Sequence, residues 1–262
     1  MRANANGIGV HYELHGPEGA PWLVLSHSLA CSVRMWDEQI AAFSDRYRIL
    51  ACDTRGHGAS DAPSGAYTLE LLADDLQGLL EQVGVARPHF CGLSMGGMIG
   101  QTFALKYPGI LASLTLADTT SRIPAEAGPV WQERIRMAET QGMLPLVEPT
   151  LARWFTEPHR KAHPETMQRI GKLIASTPVA GYVGCCHAIP KINLTARLKE
   201  IRCPILIVVG EDDPGTPVAM SREMHERAPG SKLVVIPKAA HLSNIEQSGS
   251  FNRALGEFLQ AH

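Results

Sequence analysis

Six short runs in this chain are apolar almost throughout: Trp22–Ser26, Tyr47–Cys52, His89–Leu93, Ser113–Ala117, Pro204–Gly210 and Lys232–Ile236. A strand that alternates apolar and polar residues buries one face. A strand that does not alternate must bury both, which is the mark of a parallel sheet covered by helices on each side. Helical spacing fills the intervals between the runs. In the clearest interval Leu69, Leu72, Leu76, Leu79, Leu80 and Val83 fall on one side, with Asp74, Asp75 and Gln77 on others. Thr68 is placed to cap this helix and Gly84 to end it. Alternating strands and helices predict an α/β fold, and 262 residues suffice for one large domain with an insertion. The alternation lapses between residues 121 and 190, where prolines, Trp131, Trp154, Phe155 and helix-like segments occur without a strand run. That stretch is expected to be a helical cap on a core formed by residues 1–120 and 191–262.

Composition narrows the partners. The formal net charge is -2 and no run of Lys or Arg is present, so a small molecule is expected rather than a nucleic acid. No apolar stretch is long enough to cross a bilayer, and the start, Met1 to Tyr12, has no apolar targeting segment. A cytoplasmic protein without a membrane partner is the expectation; homo-oligomerisation is left open. The six cysteines, Cys31, Cys52, Cys91, Cys185, Cys186 and Cys203, form no CxxC pair. Buried reduced thiols account for them better than zinc, and for the neighbours Cys185 and Cys186 better than a redox pair.

One motif points to chemistry. Gly92-Leu93-Ser94-Met95-Gly96-Gly97 directly follows the run His89–Leu93 and precedes a helix-like segment, Met98 to Tyr107. This is G-x-S-x-G in its required setting, a strand, a sharp turn and a helix. Glycine is needed where the turn leaves no room for side chains. The turn raises the Ser94 hydroxyl at a helix N-terminus, whose dipole favours developing negative charge. A phosphate-binding loop would instead carry G-x-G-x-x-G or a Lys-Ser/Thr ending, and neither is present.

A serine nucleophile needs a base, and the base needs a carboxylate to orient it. Behind two later strand runs the chain places Asp213 and His241, in the order Ser, Asp, His. Both follow C-terminal strand ends, where open α/β sheets hold their sites. Asp213 is the expected acid. Its neighbours Glu211 and Asp212, and Asp118 after the run Ser113–Ala117, are the alternatives. His241 is the only one of eleven histidines at the right point in the chain. His159 and His163 resemble a metal pair but lack a third ligand. The oxyanion donors are expected to be the N–H groups of Met95, after the nucleophile, and of Leu29, in the loop Ser26-His27-Ser28-Leu29-Ala30. The turn Asp53 to Ser60 reads as structural.

The residues around these positions resemble the 3-oxoadipate enol-lactonases of the α/β-hydrolase fold. The resemblance rests on Cys91 to Gln101, on Met35-Trp36-Asp37, and on Asp53-Thr54-Arg55-Gly56-His57-Gly58-Ala59-Ser60. Arg153-Trp154-Phe155-Thr156 and Ala240-His241-Leu242-Ser243-Asn244-Ile245-Glu246 extend it over essentially the whole chain. It implies hydrolysis of 3-oxoadipate enol-lactone in aromatic catabolism by a Ser-His-Asp triad, without metal or organic cofactor. The chain departs from the family at His27, where the enol-lactonases often carry Asn and general esterases His. A general carboxylesterase is the alternative. The substrate implied by the resemblance carries a carboxylate, for which Arg134, Arg136 and Arg153 are candidate partners. Trp131 and Trp154 are candidates to line the pocket.

Overall fold

A computed structural model describes residues Met1–His262. Eight strands form one sheet: β1 (Arg2–Ala5), β2 (Ile8–His15), β3 (Trp22–Ser26), β4 (Arg48–Cys52), β5 (His89–Leu93), β6 (Ser113–Ala117), β7 (Ile205–Gly210) and β8 (Lys232–Ile236). Their order is β1-β2-β4-β3-β5-β6-β7-β8. From β4 onward every pairing is parallel, while β1–β2 and β2–β4 are antiparallel. All residues of β5, β6 and β7 are buried, as unbroken apolar runs require. The fold is an α/β-hydrolase fold.

The antiparallel pair β1–β2 is absent from the sequence reading. Its buried residues, Ile8, Val10 and Tyr12, alternate with Gly9, His11 and Glu13. That period of two marks a strand with one buried and one half-buried face, and the polar, Gly/Asn-rich start concealed it. Two strand boundaries also move inward by one residue, past Tyr47 and Pro204.

The helices between strands are α1 (Asp37–Phe43), α2 (Leu69–Val83) and α3 (Met95–Lys106); α9 (Val218–Arg227), α10 (Ser243–Glu246) and α11 (Ser248–Gln260) lie near the end. In α2, Thr68 accepts from Leu71 N at the start, and Gly84 stops the helix at φ +75°. Helix α1 packs with α11, and α2 with α3. Between β6 and β7 only helices occur: α4 (Gly128–Gln141), α5 (Val147–Trp154), α6 (Glu157–Ala162), α7 (Pro164–Ser176) and α8 (Val179–Ala188), with short 3₁₀ turns. An antiparallel bridge, Arg122 with Asn193, joins the two ends of this helical stretch. Leu194 N donates to Ser121 O beside it at 2.7 Å. No single helix is long and apolar enough to cross a membrane.

Candidate active site

The turn from β5 into α3 is as tight as the motif demands. Ser94 has φ +54°, a region that residues with a Cβ seldom enter, and its N–H donates to Ala117 O at 2.8 Å. A side chain on Gly92 would overlap the backbone of Gly96, and one on Gly96 the carbonyl of Ser26. Thr119 Oγ1 braces the turn from β6 by donating to Ser94 O at 2.7 Å. Helix α3 begins at Met95, three residues before the segment expected from sequence. The Ser94 hydroxyl does not cap this helix. Met95 is buried, and its N–H is one of those that a helix start leaves without an intrahelical acceptor.

After β7, Glu211 and Asp212 are exposed whereas Asp213 is buried. Asp213 Oδ1 accepts from Gly215 N at 2.8 Å and Thr216 N at 3.1 Å. Its Oδ2 accepts from Thr216 Oγ1 at 2.6 Å and lies 2.8 Å from His241 Nδ1. With Nδ1–H committed to Asp213, Nε2 is the basic atom of the ring. Burial acts to lower the His241 pKa, but Asp213 outweighs it and the net shift is upward. The carboxyl responds in kind. Burial alone would raise it, yet His241 and Thr216 together hold it below the usual carboxylate value. Thr216 escaped the sequence reading. The signal was there in Asp213-Pro214-Gly215-Thr216, where an Asp accepts from N–H groups two and three residues on, as in an Asx turn.

Asp118 does not touch His241. Its Oδ1 accepts from Gly210 N at 2.8 Å and its Oδ2 from Ser243 Oγ at 2.5 Å. It therefore ties the end of β7 to the residues just after His241. Asp118 is fully buried, and burial, with Asp213 nearby, pushes its pKa far above the carboxylate range.

Ser94 and His241 line one cavity of about 290 Å³, together with Leu29, Arg134, Arg153 and Trp154. The Leu29 N–H has no protein acceptor, although the next two N–H groups, of Ala30 and Cys31, are both engaged. Trp154 is buried and stacks on His241, with ring centroids 6.3 Å apart. Trp131 also lines the cavity, and the Arg134 guanidinium sits 4.6 Å above its ring. Arg153 bonds only to Thr150 Oγ1, at 3.1 Å. Burial, with Arg134 close by, lowers its pKa to about 10. Neither arginine meets a carboxylate. Arg136 is exposed and paired with Glu133 on the outer face of α4, so it is not among the cavity residues.

The sequence profile of the α/β-hydrolase fold matches residues 21–248. The chain belongs to the α/β-hydrolase family. This hydrolase is 35% identical to 3-oxoadipate enol-lactonase 2 of Acinetobacter baylyi, over 96% of its own length and 93% of the relative's. It is 33% identical to enol-lactonase 1 of the same organism, over 100% and 97%. Among solved structures, the enol-lactonase of Burkholderia xenovorans LB400 superposes on this hydrolase with a TM-score of 0.96. That pair is 37% identical, covering 99% of this chain and 100% of that one. The resemblance read from separate motifs thus extends over the whole chain.

Proposed function

We propose that this protein hydrolyses 3-oxoadipate enol-lactone to 3-oxoadipate, with Ser94 as nucleophile, His241 as base and Asp213 as the carboxylate that orients it. The observation that carries the reading is the buried Asp213–His241 pair facing the same cavity as a serine on a strained turn. Ser94 Oγ attacks the lactone carbonyl while His241 Nε2 takes its proton. The carbonyl oxygen, now an anion, is held by the N–H groups of Leu29 and Met95. Collapse of the adduct breaks the ring C–O bond, and His241 returns the proton to the leaving oxygen. The leaving group is an enol, which converts to the ketone. Water activated by His241 then cleaves the acyl-enzyme, releasing the carboxylic acid and restoring Ser94. Residues 121–190 serve as the cap over this chemistry.

Two unpaired arginines in a cavity of this size suit a substrate with its own carboxylate, which forms charge-assisted hydrogen bonds to a guanidinium. Arg153 and Arg134 are the proposed partners, with Trp131 and Trp154 as apolar walls. A neutral aryl ester would engage the triad but not this cationic end. The test of the nucleophile is Ser94→Ala. Lactone and ester turnover are expected to fall below about a thousandth of wild type, since loss of a triad serine removes up to ~10⁶ in kcat, while far-UV circular dichroism is unchanged. Turnover above a tenth of wild type would refute the assignment.

A further inference from the structure

The loop between β3 and α1 is stitched to the turn Asp53 to Ser60 by two buried histidines, His27 and His57. Their ring centroids are 5.2 Å apart. His27 Nε2 accepts from Thr54 N at 2.9 Å, and its Nδ1 lies 2.7 Å from Ser28 O. His57 repeats the pattern. Its Nε2 accepts from Ala30 N at 3.0 Å and its Nδ1 lies 3.2 Å from Arg55 O. A backbone N–H directed at Nε2 needs a lone pair there, so in both rings the proton sits on Nδ1 and the ring is neutral. Burial acts in the same sense, pulling both pKa values down, that of His57 to about 3.

The carbonyl gripped by His27 belongs to the peptide unit Ser28–Leu29, whose other end is the Leu29 N–H. A trans peptide is planar, with C=O and N–H pointing in opposite directions. Fixing the Ser28 carbonyl on His27 Nδ1, and on Cys31 N at 3.2 Å, therefore fixes where the Leu29 N–H points. That N–H has no acceptor in the protein, and Leu29 borders the cavity that holds Ser94. A hydrogen bond into the carbonyl also polarises the N–H of the same unit. On the far side, Ala30 has φ +59°, a conformation that residues with a Cβ rarely adopt, and His57 holds it there.

We propose that His27 is a positioning residue for catalysis: through Nδ1–H on the Ser28 carbonyl it orients and polarises the Leu29 N–H as an oxyanion donor, with His57 locking the next peptide. This inference rests on the reading of Ser94 as nucleophile and of Leu29 as a donor. It separates the two nitrogens of one ring. Nδ1 acts on the donor peptide, and Nε2 only ties the loop to Thr54.

Two isosteres make that separation testable. An asparagine amide nitrogen falls where Nδ1 is and keeps the grip on Ser28, whereas a glutamine amide falls where Nε2 is and keeps only the tie to Thr54. Steady-state turnover of p-nitrophenyl acetate and inhibition by phenylboronic acid, which forms a tetrahedral anion on a serine, are measured for His27→Asn and His27→Gln. A misaimed donor costs part of the ~10²–10³ that a lost one costs. His27→Gln is expected to lose at least ~10-fold in kcat, with KM within about threefold and boronate affinity weakened in step. His27→Asn is expected to turn over at least ~10-fold faster than His27→Gln. Equal losses in the two variants, or a loss confined to KM, overturn the inference while leaving the nucleophile standing. Ser94→Ala is the third arm. Full turnover there would overturn the nucleophile reading itself, and this inference with it.

Discussion

At the scale of residues the site is a set of matched demands. His241 can act as a base only when Nε2 is unprotonated. Its pKa is raised, because Asp213 more than offsets burial. The sign follows: kcat/KM should climb as pH rises through a value above the ordinary histidine 6.5, and fall away below it. Asp213→Asn removes the charge and the correct tautomer, so the acid limb moves to lower pH and the plateau drops by ~10³–10⁴. Asp118→Asn should cost far less than that, since Asp118 touches Gly210 N and Ser243 Oγ rather than the imidazole. A kcat/KM–pH profile of wild type and both variants decides this, and the reverse ranking would make Asp118 the acid. Arg153 bears on substrate rather than on chemistry. Arg153→Met is expected to raise KM for the carboxylate-bearing lactone by ~10-fold or more while changing p-nitrophenyl acetate hydrolysis little, as loss of a charge-assisted contact implies. Ser94 and His241 stood out in the sequence as candidates, Ser94 by its neighbouring glycines and both by their position in the chain. Among Glu211, Asp212 and Asp213 only burial and hydrogen bonding pick out Asp213, and those arise from tertiary packing. Arg136 could not be separated from Arg134 and Arg153 until the rotation of α4 was known.

Among elements, the strand–turn–helix from β5 through Ser94 to α3 carries the most constraint. Gly96 faces the Ser26 carbonyl so closely that no Cβ fits. Gly96→Ala must push β3 and α3 apart, and β3 also leads into the loop of His27 and Leu29. The variant is expected to lose soluble expression or, where it folds, most of its kcat; wild-type turnover with unchanged thermal stability would contradict the packing. The parallel strands were legible because burial on both faces leaves an unbroken apolar run. The antiparallel pair β1–β2 was not, because β1 has only four residues and β2 alternates. The helices between β6 and β7 were visible as a group, through the lack of strand runs, but not one by one. Their amphipathic faces meet each other as well as the core, as α4 meets α8 and α5 meets α7.

For the molecule as a whole, a site built on buried charge should leave its mark on stability. Asp118 holds its proton in the folded chain at pH values where an unfolded aspartate has lost it, because burial raises its pKa. Its contribution is therefore present below the ordinary carboxylate range and is lost as pH rises towards the raised value. Urea midpoints of wild type should fall relative to Asp118→Asn between pH 5 and pH 9, and parallel midpoints would show that Asp118 ionises normally. The sheet, the turns at its C-terminal edge and the helices between β6 and β7 converge on one cavity that presents a serine, a histidine and two unpaired arginines. A lactone bearing a carboxylate is the substrate this arrangement is proposed to select. The most direct test is kcat/KM of the purified protein for 3-oxoadipate enol-lactone and for p-nitrophenyl acetate, side by side. The lactone is expected to win by ~10² or more, roughly 2.7 kcal/mol of differential transition-state binding. Equal values, or a lactone left intact while the ester is cleaved, would contradict the lactonase reading and leave a serine esterase with another substrate.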